Sequence, residues 1–140
     1  MMLADFSTKP VLAHLATIMP DGSPHVTPVW FDFADGKIGV NSVRGWVKAR
    51  NMARDARVAL SIVDPDDPGR HVEIRGLVTR IAEDGAVAHN NGLTRKYTGL
   101  DMYPWDKPGD VHVLHEIEPV AVYFRRGSSR RTRNGPFRWD

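Results

Sequence analysis

Apolar and polar positions alternate along the first third of the chain in short runs, each closed by a turn signal. "VLAHLATI" (11–18) is rich in β-branched and apolar residues and ends at "MPDG", where Asp21-Gly22 marks a hairpin. "PHVTPVWFDF" (24–33) predicts a second strand, stopped by "ADG" at 34–36, and "KIGVNSV" (37–43) a third. Pro28 cannot donate to a ladder, so it is expected at a sheet edge or a bulge. The alternation breaks at Gly45, and residues 46–54 predict a short helix with a cationic surface.

The second half follows the same logic with longer elements. "RVALSIVD" (57–64) predicts a buried strand and "PDDPG" a tight loop. "RHVEIRGLVTRI" (70–81) alternates, with Val72, Ile74 and Leu77 expected inward, His71, Glu73 and Arg75 outward, and a register shift at Gly76. "EDGAVAHNNGLTRKYTG" is the second helical segment, weakened in its middle by Asn90-Asn91-Gly92. A polar, aromatic loop, "LDMYPWDKPGD", leads to two closing strands, "VHVLHEIEP" and "VAVYFRR". The sum is a mainly β chain. Six to seven mostly antiparallel strands and two to three short helices suit a small barrel with helical decoration.

Length and charge refine this. At 140 residues the chain predicts one domain, residues 1–124, followed by a basic end at 125–140. The pI of 9.2 suggests a nucleic-acid partner, but the charge is unevenly placed. With the six arginines and Asp140 of residues 125–140 set aside, 13 cations face 16 acids, a net of −3. The body is mildly acidic, and the Gly/Ser/Arg end reads as a solvated segment or an arm for an anionic partner. Nucleic acid is therefore not the expected partner of the body. No apolar run approaches the ~20 residues that span a bilayer. The opening "MMLADFSTKP" lacks a signal-type apolar core, so a cytoplasmic protein is expected.

Candidate chemistry is reached largely by exclusion. The absence of cysteine excludes disulfides, thiolate metal sites and Cys nucleophiles. His112 and His115 are the one close histidine pair, but strand spacing puts them on opposite faces, so no metal is expected. There is no H-E-x-x-H, G-x-S-x-G, Walker A or dinucleotide-binding glycine pattern. Any redox or transfer chemistry then falls to a bound cofactor. "NSVRGWVKARNM" (41–52) offers a place to hold one. A strand ending in Asn41-Ser42, a flexible Gly45 and a fresh helix N-terminus present polar side chains and free amides to an anion. Lys48 adds a charge, and Asn51 lies one turn further on nearly the same face. A solvated cationic helix face is the alternative reading of these residues.

The order of "LATIMPDGSPHVTPVWF" and "GKIGVNSVRGWVKARNMARDARVALSIVDPDDPGRHVEIRG" resembles the FMN-binding split β-barrel superfamily, the pyridoxamine 5'-phosphate oxidase-like proteins. Within it the chain is most similar to the actinobacterial deazaflavin (coenzyme F420)-dependent branch, and "LTRKYTGLDMYPW" also looks like that branch. The resemblance implies a homodimer with cofactor sites at its interface and a small-molecule substrate. It places a phosphate against Asn41, Ser42, Lys48 and Asn51, and the tricyclic ring along Thr27, Pro28, Val29 and Trp30. His71 stands where the family often carries a glutamine near the cofactor. Val47 and Trp46 depart from the Arg or Ser usual before the lysine in flavin oxidases. Hydride transfer by F420, or by FMN as the alternative, is the implied chemistry, with haem binding or non-catalytic storage also open. His71 and Tyr97 are candidate proton donors, Trp30 and Trp46 candidate pocket walls, and Arg44, Arg50 and Arg54 candidate contacts for an anionic cofactor tail.

Overall fold

The computed structural model describes residue 6 and residues 8–126. The basic segment expected beyond Arg126 lies outside the described residues. Seven strands form one sheet: β1 (Ala13–Ile18), β2 (Pro24–Val29), β3 (Asp32–Ala34), β4 (Lys37–Val43), β5 (Arg57–Val63), β6 (Arg70–Ala82) and β7 (His112–Arg126). Two helices accompany them, α1 (Val47–Arg54) and α2 (Ala86–Thr98). Among the described residues no helix is long and apolar enough to cross a membrane. The strand order is β2-β1-β5-β6-β7-β4-β3, and every pairing is antiparallel.

That order carries a geometric consequence. β2 and β3 are the two outer strands of the sheet, yet only Trp30 and Phe31 separate them in the chain. The three Cα–Cα steps from Val29 to Asp32 span at most roughly 11 Å, so the sheet must roll until these strand ends come close together. The result is a split β-barrel whose gap lies beside Trp30. The interior is filled by the inward sides of the strands, including Leu15, Ile38, Val40, Ile62, Val72, Ile74 and Ile117, and Phe31 and Met52 belong to the same buried cluster.

The details differ from the expected pattern in three places. The segment 24–33 is two strands, because the chain turns the corner at Trp30-Phe31. The two closing strands are one 15-residue strand, β7, which carries Pro119 opposite Gly76 at the register shift expected there. A Cβ on Gly76 would lie 2.9 Å from the Glu118 carbonyl, so the backbones come too close there for any side chain. Leu77 consequently faces outward and is 42% exposed, while Gly76 takes the inward position. Pro28 does lie on an edge strand, paired with His14.

Candidate functional site

The site begins at the turn from β4 into α1. Gly45 adopts φ 93°, a conformation open to glycine at little cost, and lets the chain leave the sheet after Val43. Trp46 holds the N-cap position with extended dihedrals and offers no side-chain hydrogen bond. The first helical bond is Arg50 N–H to the Trp46 carbonyl, so the first-turn amides are left to solvent or a ligand. Ala49 and Met52 bury the other side of this short helix.

Lys48 projects from the first turn over the Trp46 ring at 5.4 Å. Its ammonium is half-buried, and burial pushes its pKa below the ordinary lysine value. Among the described residues no carboxylate lies within ion-pair distance of it. An unpaired, partly desolvated cation favours an anion beside it.

Ser42, the penultimate residue of β4, is 2% exposed and its Oγ lies 2.7 Å from His115 Nε2. His115 is fully buried, and burial, reinforced by the charge of Lys48, lowers its pKa to about 4. The ring is therefore neutral at pH 7, and its Nδ1 has no partner. An orphaned buried N–H is rarer than an orphaned acceptor. The proton accordingly sits on Nε2 and donates to Ser42 Oγ, which leaves the serine hydroxyl hydrogen free to donate to a ligand.

Asn41 points to the opposite face and organises a second wall. Its Nδ2 donates to the Ala86 carbonyl at 2.9 Å and to His89 Nδ1 at 3.1 Å, and its Oδ1 lies 2.8 Å from His112 Nδ1. The Ala86 carbonyl can only accept, which fixes the orientation of the amide. His112 Nδ1 therefore donates, and its Nε2 lies 2.6 Å from the Asp106 carboxylate. Both ring nitrogens are engaged, one by Asn41 and the other by Asp106. On the other side, His89 Nε2 donates to Asp32 at 3.0 Å. The chain Asp106–His112–Asn41–His89–Asp32 ties β3, β4, α2, β7 and the loop between α2 and β7. Gly39 lies beneath its far end, where a Cβ would collide with Asp32 Oδ1.

Between the two walls, at the split, lies a cavity of about 350 Å³. Pro28, Val29, Trp30, Asn41, Ser42, Trp46 and Lys48 line it, joined by Asn90, Leu93, Tyr103 and His112. Trp30 stacks on Tyr97 at 5.1 Å with an interplanar angle of 8°, and Tyr103 meets both Trp30 and His112 edge-on. The aromatic roof is tied down by the Tyr103 N–H, which donates to Asn91 Oδ1 at 3.0 Å.

Several residues expected at the site lie elsewhere. Asn51 is buried beneath α1, donating to Thr17 Oγ1 at 3.0 Å and accepting from Arg54 at 2.7 Å, so it anchors the helix to β1. Arg44 points away and pairs with both oxygens of Glu83. That pairing raises the arginine pKa and holds the Glu83 carboxyl below the usual range. Arg54 is also committed, to the Ile18 carbonyl at 2.8 Å. His71 sits on the outer face of β6, 3.1 Å from Glu73, outside the cavity. Thr27 faces the barrel side of β2 and its Oγ1 has no partner. The Tyr97 hydroxyl donates to the Val11 carbonyl at 2.6 Å and accepts from Phe31 N–H at 3.2 Å. Burial pushes its pKa up to about 12, so it serves as a brace rather than a proton donor.

Asn90, Leu93, Tyr103 and His112 were not expected at the site. Asn90 carried a signal, since a carboxamide there interrupts the apolar stripe of α2 (Ala86, Leu93 and neighbours). The other three carried none that separates them from ordinary core and loop residues.

These residues fit a phosphorylated aromatic ligand on the protein's own evidence. One end of the cavity combines an unpaired lysine, a free serine hydroxyl and uncapped amides, and the other is aromatic. Comparison with known proteins agrees. The family model for pyridoxamine 5'-phosphate oxidase matches residues 2–125. A solved F420 reductase is 32% identical, covers 85% of this chain and 94% of its own, and superposes with a TM-score of 0.74. A conserved hypothetical protein of Mycobacterium tuberculosis is 28% identical, with 89% and 82% covered and a TM-score of 0.71. The haem storage protein of Vibrio cholerae shares the fold at 15% identity, 85% and 89% coverage and a TM-score of 0.62. A search of curated proteins finds no match. The chain belongs to the pyridoxamine 5'-phosphate oxidase family and has its split-barrel fold, a fold shared with an F420 reductase.

Proposed function

We propose that the protein is a cytoplasmic F420-dependent oxidoreductase acting on a small unsaturated organic substrate. The observation that carries this reading is the half-buried, unpaired Lys48 beside Ser42 and the uncapped start of α1, in a cavity walled by Trp30 and Tyr103. The 32% identity with an F420 reductase favours the deazaflavin over other phosphorylated aromatics. When bound, such a cofactor supplies hydride transfer.

The chain's own residues supply binding and orientation. Lys48, Ser42 and the first-turn amides hold the phosphate, with His115 turning the serine hydroxyl toward it. β2 is an edge strand, so the outward half of its backbone groups is open to the ring beside Pro28 and Val29. Tyr103 and Trp30 exclude water from above. His112, the imidazole in the cavity lining, is not free to donate a proton, because both of its nitrogens are engaged.

A homodimer completes this reading. Val26, Val63, Leu77, Val120 and Tyr123 leave an exposed apolar area on the outer face of the sheet, which a second copy would cover. His71 lies on that same face, so it would approach a cofactor across the interface.

FMN is the second reading, and a specific observation favours it. Two of the three arginines offered to an anionic F420 tail, Arg44 and Arg54, are spent on Glu83 and Ile18. The deciding experiment is a titration of the protein with F420 and, separately, FMN, followed by tryptophan fluorescence. Tighter F420 binding supports the deazaflavin reading, and tighter FMN binding moves the protein to the flavin branch. Binding of neither below about 100 μM, near −5.5 kcal/mol, sinks both.

A further inference from the structure

Asn90 is a polar side chain in a position that the helix pattern reserves for an apolar one. It lies on the buried stripe of α2 with Ala86, Leu93 and Thr94 and is only 6% exposed. Its carboxamide makes no hydrogen bond within the protein, and Nδ2 is withdrawn from solvent without an acceptor. The neighbouring polar groups are already engaged: Thr94 Oγ1 donates to the Asn90 backbone carbonyl at 2.8 Å, and Asn91 Oδ1 holds the Tyr103 amide. An unsatisfied buried amide lowers stability, and a leucine would fit the stripe without that penalty. The side chain lines the cavity between the two walls.

We infer that Asn90 is a ligand-recognition residue that pairs its carboxamide with an imide edge, an N–H flanked by carbonyl groups. A carboxamide presents one donor beside one acceptor, and an imide edge presents the complementary pair. This rests on the proposed function, since the pyrimidine edge of a flavin or deazaflavin ring is such a group. A small substrate bearing an imide, seated beside the cofactor, would present the same chemistry.

The test compares wild type, Asn90→Leu and Asn90→Asp, the last keeping the shape and an acceptor while losing the donor. Each is titrated with FMN and with FMN methylated at the imide nitrogen, and FMN-saturated protein is then titrated with glutarimide. Thermal unfolding of the ligand-free proteins is read in parallel. Asn90→Leu is expected to bind FMN about tenfold to hundredfold more weakly, while unfolding at the same or a higher temperature than wild type. Methylation should weaken wild-type binding by a similar factor and leave Asn90→Leu unmoved, while Asn90→Asp, which keeps the acceptor for the imide N–H, still responds to it. If the asparagine reads a substrate instead, FMN affinity is unchanged and glutarimide binding is lost in both variants. Equal binding of FMN, methylated FMN and glutarimide across all three proteins overturns the inference. The cofactor reading fails separately, when wild type binds neither FMN nor F420.

Discussion

The two walls of the cavity satisfy their charges in opposite ways. At the β4–α1 turn a lysine is half-buried without a counterion, a serine hydroxyl has an unused hydrogen, and the helix start has no cap. Across the cavity the polar groups engage one another, Asp106 with His112 and Asp32 with His89, through a single asparagine amide. The difference separates recognition from construction. The first wall has groups left over for a ligand, whereas the second has its hydrogen bonds made before anything binds. A ligand should therefore change the turn strongly and the asparagine-centred wall little.

That contrast can be broken most forcefully at Asn41. Asn41→Leu strands the Ala86 carbonyl, His89 Nδ1 and the His112 N–H together. At ~1–3 kcal/mol for each unsatisfied group, urea unfolding should show a loss of about 4 kcal/mol, and a loss below 1 would mean the wall does not act as one unit.

The next effect is pH-dependent. The His115 pKa is near 4 in the folded protein against 6.5 ordinarily, so below pH 6.5 the unfolded chain takes up a proton that the folded one refuses. Stability is full above pH 6.5 and falls as pH drops toward 4, by about 3 kcal/mol. Urea curves at pH 7.5 and 4.5 should lose this component in His115→Leu. An identical pH slope in the variant would remove His115 as its source.

Lys48→Ala comes third. It should weaken FMN or F420 binding by about 2 kcal/mol, the scale of a charge-assisted hydrogen bond, without lowering unfolding stability. Unchanged affinity would contradict the anion assignment. The smallest effect sharpens the second wall: Asp106→Asn removes a half-exposed partner worth about 1 kcal/mol. Hydrogen exchange in residues 99–111 should quicken modestly, with phosphate-end binding intact.

The same two walls explain what the sequence discloses. The turn is built from contiguous residues whose chemistry follows from local rules: Gly45 for a left-handed conformation, a short helix after a strand, Lys48 on its first turn. Ser42 and Lys48 could thus be named from twelve residues. Asn51 could not be placed the same way, because helical spacing alone cannot tell a cavity face from the face that packs on Thr17. The second wall joins residues 32, 41, 89, 106 and 112, which share no spacing. His112 reads as an ordinary strand residue until β7 is laid beside β4. Strand alternation located most of the barrel, and Leu77 was misplaced because the shift at Gly76 was expected to reverse the faces of β6, whereas alternation continues through it. The split at Trp30-Phe31 was hidden for a related reason, since alternation carries no record of a corner.

β7 has a temporal consequence as well as an architectural one. Residues 114–117 pair with β6 on one side and β4 on the other, so this late segment is the seam joining the two parts of the sheet. Before it emerges from the ribosome, β1, β2, β5 and β6 can associate, but β4 has no strand beside it except β3. Such long-range pairing is slow relative to local hairpins. The cavity, lined by residues of β4 and β7, can consequently close only after β7 has joined the sheet.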